Sequence, residues 1–281
     1  MHYSKNLALA VVAGSAFFWG ACHSDVSDQK MKGNGGAGDT ASSTRKISVV
    51  ISSIPFPSNI LDTLHSVNAK FDADLTNPIS NVNLYTESNM QAINLGVYGA
   101  DLAYVISFEQ FQSVGGYIKG TKFLADNIGI PLAFTAQVIQ RCEKNQNNKD
   151  SLTQIEFQSY NVIDQTLKQN QRNSAEVLVL MGGWVEGAYL TTQGLITVPT
   201  GSDRLKVYSS LLQQKQYIDK LITLLNEVSS TPYCQQLIAP MQEIKAAFEP
   251  IQSAASFNDE ILLAISDKIK DLRSHIIKGG A

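Results

Sequence analysis

Two stretches constrain this chain more than any others. They are Asn94–Val105 (Asn-Leu-Gly-Val-Tyr-Gly-Ala-Asp-Leu-Ala-Tyr-Val) and Gly182–Leu190 (Gly-Gly-Trp-Val-Glu-Gly-Ala-Tyr-Leu). Each is apolar nearly all round, rich in small residues, and holds one acid in an acid-x-Ala-Tyr core: Asp101-Leu-Ala-Tyr104 and Glu186-Gly-Ala-Tyr189. Residues three and four apart share a helix face. Gly96, Gly99, Ala100 and Ala103 therefore leave a broad arc with little side chain, and a second backbone can approach it closely. A lone acid inside an apolar helix must find a partner or keep its proton, because burying an unpaired charge is costly. The two stretches are expected to be the central helices, packed through their small faces, with Gly99 and Gly187 inside the contact.

The rest of the chain reads as helices around them. Ile47–Ile54 is the exception, a short β-branched run before Pro55 and Pro57. A lone strand has nothing to pair with, so it is expected to lie extended along the helices. Beyond Pro57, apolar residues recur at helical spacing. Ser58 can cap a first helix, Asn77-Pro78 breaks the pattern, and a long helix is expected from about Asn81 through Val105. Others are expected over Phe108–Phe123, Ala133–Lys144, Leu152–Gln171, Asn173 to near Pro199, Leu205–Val228, from Pro232 onward, and Glu260–Ile277. Asp150 or Ser151, and Asn258 or Asp259, are the expected caps. The fold class is all-α: one domain, residues 47–281, of about nine helices with a short extended N-terminal segment.

Residues 1–46 have a different character. Lys5 precedes the apolar run Leu7–Trp19, which is too short to span a bilayer and suits the core of a signal peptide. Gly20-Ala21-Cys22 then resembles a lipobox, where the peptide is cut before the cysteine and the thiol is lipidated; an ordinary secretory signal is the alternative. Residues 1–21 are thus expected to be a lipoprotein signal peptide, and residues 22–46 the lipidated Cys22 and a tether. The tether is Gly, Ser, Thr and Asp-rich, with no aromatic residue or apolar period, so it cannot offset its ordering entropy. Asp39-Thr40-Ala41 within it resembles an acceptor site for O-glycans. With Lys5 removed, 25 acidic residues face 21 basic ones, a net charge of −4. With no basic run either, nucleic acid is not an expected partner.

Three motifs in order, Ile54-Pro-Phe-Pro-Ser58, Asn94–Tyr104 and Gly182–Leu190, resemble a family of helical envelope lipoproteins from Bacteroidetes. The resemblance covers most of Ile47–Leu225. It implies an all-helical fold and a lipid-anchored place in the cell envelope at the outer membrane, on its periplasmic or its surface face. It carries no activity.

Asp101 and Glu186 are the candidates for site chemistry. A carboxyl pair can work as acid and base when the surroundings push the two apart; the other role is to accept hydrogen bonds and fix the packing. His2, His23, His65 and His275 have no metal-ligand spacing, and Cys-x-x-Cys, His-Glu-x-x-His, Gly-x-Ser-x-Gly and phosphate loops do not occur. No cofactor is expected. Cys142 and Cys234 could pair in an oxidising envelope or serve as small apolar residues. The function expected is a non-catalytic binding or scaffolding module, with Tyr98, Tyr104, Trp184 and Tyr189 on the floor of a groove for a peptide, a glycan or an envelope protein. The alternative is an envelope hydrolase or lyase using Asp101 and Glu186.

The anchor is directly testable. In its native host the protein should partition into detergent and incorporate labelled palmitate, and Cys22→Ala should release it. A wild-type protein that is soluble, with a free thiol at position 22, would refute lipidation.

Overall fold

The computed structural model describes residues 46–54, 58–199, 201 and 204–278. The expected signal peptide, Cys22, Thr40 and all of the tether but Lys46 lie outside the described residues.

Residues 46–51 form a helix, α1, where an extended segment is expected from their β-branched composition. The reason is visible in the spacing. Ile47, Ile51 and Ile54 fall on one helical face and are buried, whereas Val49 faces outward, 65% exposed. With no strand to pair with, the run takes the conformation that pairs its own backbone groups and still buries that face.

Among the described residues nine further helices follow: α2 (Ser58–His65), α3 (Ser88–Ser107), α4 (Phe111–Asn127), α5 (Ala136–Lys144), α6 (Lys149–Gln169), α7 (Asn173–Ile196), α8 (Arg204–Glu227), α9 (Pro232–Phe248) and α10 (Asp259–Ile277). No strand occurs among them. Helix α3 starts at Ser88, several residues later than the expected start near Asn81. Ile79–Leu84 is a separate 3-10 turn, as is Ala73–Leu75. Helix ends follow their side chains. Thr135, Asn148 and Asn258 accept hydrogen bonds from the first turns of α5, α6 and α10, so α6 is capped two residues before the expected Asp150. After α4, Gly129 takes φ 78°, and the N–H groups of Gly129 and Ile130 return to Asp126 and Ala125 carbonyls, a Schellman closure.

Helices α3 and α7 pack along each other more extensively than any other pair, and α2, α4, α6, α8 and α10 wrap them. Nearly every residue of both is buried, which explains their lack of a polar face. Helix α9 lies outside, against α8 and α10, and α5 rests on α6.

The two central backbones meet at glycine. A Cβ on Gly96 would stand 2.0 Å from the Val179 carbonyl oxygen and 2.6 Å from the Gly183 nitrogen. On Gly182 it would stand 1.8 Å from the Ile93 oxygen. Any side chain there forces the helices apart. Gly99 departs from expectation: a Cβ there meets nothing within 4 Å, because this turn of α3 opens onto a cavity.

The three positions should therefore behave oppositely. Gly96→Ala and Gly182→Ala should each cost about 3 kcal/mol or more, the upper end of overpacking. Gly99→Ala should stabilise by about 0.5–1 kcal/mol, since alanine is the better helix former. Urea unfolding of the three variants measures all of this.

Candidate functional site

Two buried features stand out: a polar centre between α3, α7 and α10, and an apolar cavity between α3, α6 and α7.

The polar centre begins with Arg273 on α10. It lies on the helix face that carries the apolar Ile269, Leu272 and Ile276, and is itself buried. Its Nε donates to Glu186 Oε2 at 2.7 Å and its Nη2 to Glu186 Oε1 at 2.8 Å. The same Nη2 donates to the Leu75 carbonyl at 2.8 Å, and the guanidinium stacks 4.1 Å from the Tyr189 ring centre. This planar two-point match is what arginine does and lysine cannot.

Asp101 completes the group. Its Oδ2 accepts the Asn77 N–H at 3.1 Å, and its carboxyl lies within hydrogen-bonding reach of Glu186. Asp101 Oδ1 has no N–H donor. Two carboxyls lie close to one guanidinium, which is bonded to Glu186 alone, so the group is neutral only if one carboxyl keeps its proton. Burial, and after it the Glu186 charge, hold the Asp101 proton well above the usual carboxyl range, against the pull of Arg273. With that proton in place, Asp101 can donate to Glu186.

The segment between α2 and α3 covers this centre and depends on it. Its backbone has little regular pairing of its own, and side chains supply the partners. Tyr98 donates to the Pro78 carbonyl at 2.7 Å, Tyr104 accepts from the Asp72 N–H at 3.1 Å, and Asn77 Nδ2 donates to Tyr85, whose hydroxyl donates to the Ile277 carbonyl. Tyr98, Tyr104 and Tyr189 are therefore fastened into the core instead of lining an open groove.

The cavity lies on the other side of the α3–α7 contact and measures about 50 Å³. Gly96, Gly99, Gly183 and Gly187 form its floor; Phe134, Tyr160 and Trp184 stand among its walls. The Trp184 indole N–H donates to Gln214 Oε1 at 3.0 Å, which fixes the ring. Glu156 on α6 is the one charged residue type in the lining. It is 7% exposed, and its buried Oε1 has no hydrogen-bond partner among the described residues. Burial, then the nearby Asp62, raises its proton affinity well above the ordinary range. Further along α6, Asp164 lies beside Glu176 of α7; burial, then Asp164, lifts Glu176 to about 7, against Lys168.

Of the residues singled out from sequence, the structure brings Asp101, Glu186 and Tyr189 together and places Trp184 on the cavity. Arg273 and Glu156 were missed. Each is a charge on an otherwise apolar helical stripe, Glu156 between Leu152 and Ile163, and that was the available signal. Cys142 and Cys234 are both buried free thiols. No group of residues suited to a metal ion occurs among those described. Comparison with protein-family models, curated proteins and solved structures finds no match.

Two measurements probe these assignments. Arg273→Met leaves Glu186 buried and unpaired and should cost about 3–5 kcal/mol. Asp101→Asn, whose amide reproduces the protonated acid's donor and acceptor, should fall within about 1 kcal/mol of wild type at neutral pH. The second is a pH titration of stability. Glu176 holds its proton more tightly folded than unfolded, so its contribution is complete below pH 4.5 and disappears as the pH rises through about 7. Glu176→Gln should flatten the fall in unfolding free energy across that window.

Proposed function

We propose that the protein is a lipid-anchored envelope module that binds a small apolar molecule in the cavity between α3, α6 and α7, without catalysis. The observation that carries this reading is the lining: glycines on two helices withhold side chains at the place where the central pair could have closed, and the space is lined by Glu156, one of whose buried oxygens has no hydrogen-bond partner among the described residues. A cavity that served only packing would be filled at small cost, since Gly99 has room for a side chain. Concave, largely apolar sites with one or two fixed polar groups are the usual form of small-molecule pockets. The anchor rests on the Gly20-Ala21-Cys22 pattern. No helix among the described residues is long and apolar enough to cross a membrane.

The alternative, acid–base chemistry by Asp101 and Glu186, draws support from their closeness but none from their access. Both are fully buried, Glu186 is engaged at both oxygens by Arg273, and neither lines the cavity. A substrate would have to displace the ion pair that holds α10 to α7.

Trp184 reports on occupancy, being the one tryptophan outside residues 1–21. A panel of the smallest apolar probes, from xenon to two- and three-carbon alkanols, should include members that shift its emission saturably. Gly99→Leu should abolish the shift while leaving the melting temperature at or above that of wild type. A shift that survives Gly99→Leu, or no shift with any compound, would refute the reading.

A further inference from the structure

We propose that a second site, the open cleft between residues 73–79, α4 and α10, binds a neutral sugar ring, with Arg273 Nη1 as its strong donor. The cleft is separate from the cavity beside Gly99 and shares no lining residue with it.

The cleft measures about 660 Å³, within the roughly 300–1,000 Å³ of small-molecule sites. One wall is pinned from within the fold. Arg273 holds the Leu75 carbonyl, Asp101 accepts the Asn77 N–H, and Tyr98 holds the Pro78 carbonyl. On the facing helix, a Cβ on Gly116 would stand 2.4 Å from Ile79 Cδ1, so the missing side chain seats Ile79 against α4. A ligand therefore meets a shape already made, and little of its binding energy is spent on ordering the protein.

Arg273 supplies the reason to look here. Its side chain is 8% exposed. Nε donates to Glu186, and Nη2 donates to both Glu186 and Leu75. Nη1 meets no acceptor among the described residues, yet it is not sealed from solvent. The open space that Arg273 borders is this cleft. A guanidinium nitrogen fixed in place with its hydrogens unspent is a preorganised donor.

The rest of the lining selects the ligand. Gln112 Nε2 donates to Gln110 at 3.1 Å, which leaves the Gln112 oxygen to accept. Ser113 offers a hydroxyl that donates or accepts, and Asp74 a carboxylate that accepts. Ile79 and Ile277 add apolar surface. The fitting ligand thus donates at several points, accepts from Nη1 and shows an apolar face, which is the pattern of adjacent hydroxyls on a sugar ring. An anionic group fits worse. It only accepts, it meets the charge of Asp74, and the Arg273 charge is already balanced by Glu186 at 2.7 Å.

The experiment follows the Ile79 and Ile277 methyl signals of the full-length protein titrated with glucose, mannose, N-acetylglucosamine and sodium glucuronate. At least one neutral sugar should shift both signals saturably, and glucuronate should bind at least roughly tenfold more weakly than the best of them. Ser113→Trp, which fills the cleft from a half-buried position, should abolish the shifts. Gly99→Leu, which fills the inner cavity, should leave them unchanged. Arg273→Lys keeps the charge but loses the planar fork, and should weaken binding at least about tenfold. Should that variant unfold, the wild-type Arg273 guanidinium signals carry the same test, since the Nη1 hydrogens should shift with the neutral sugar. No shift with any neutral sugar, or shifts that persist in Ser113→Trp, would overturn the site. Glucuronate binding as tightly as the neutral sugars would overturn the choice of a neutral ligand. Neither result bears on the cavity beside Gly99, whose probe is Trp184.

Discussion

The contact between the backbones of α3 and α7 at Gly96 and Gly182 sets the terms for the rest of the molecule. Once two carbonyl-to-glycine approaches fix the pair this closely, both helices are enclosed on all sides and both must be apolar all round. Any polar group they carry has to be satisfied by protein. Glu186 meets that demand through Arg273, and Asp101 through the Asn77 N–H and its own proton. The contact also decides where the interior is not filled. A turn beyond Gly96, Gly99 meets no opposing atom, and the space left there is the cavity.

The polar centre reads best as an organising element. A buried ion pair adds little net stability over an apolar substitute, but half of one is very costly. Its effect here is on register. Arg273 reaches Glu186 on α7 and the Leu75 carbonyl in the covering segment at once, so α10, α7 and that segment cannot slide relative to one another without stranding a charge. The tyrosine hydroxyls extend the same constraint to Pro78, Asp72 and Ile277. Asp101 and Glu156 each keep one buried oxygen without a hydrogen-bond partner among the described residues, but only Glu156 lines the cavity, and that is the physical basis for looking for a ligand there and not at Asp101.

Much of this was legible in the residues. The paired acid-x-Ala-Tyr stretches located the central helices, and the turns at Asn77-Pro78, Gly129 and Pro232 located breaks between elements, because each acts through local backbone geometry. The helix at residues 46–51 was misread because β-branched composition was weighed above the spacing of Ile47, Ile51 and Ile54. Which small residues touch and which leave space was not legible: Gly96 and Gly99 are both glycines on one helix, and only the position of Val179 distinguishes them. Tyr98 and Tyr104 looked like groove residues for a similar reason. A tyrosine beside an acid is consistent with either a binding surface or a pinned loop, and the loop that uses them lies some twenty to thirty residues away in the chain. Arg273 and Glu156 found their roles through partners on other helices, which no local pattern encodes.

The account stands or falls on whether a small apolar molecule enters beside Gly99. Intermolecular nuclear Overhauser effects between propanol and the protein's methyl groups test this most directly. Contacts from the probe to Leu95, Leu102 and Val179 are predicted. Contacts confined to the exposed Leu132, Leu205 and Leu263 would contradict it.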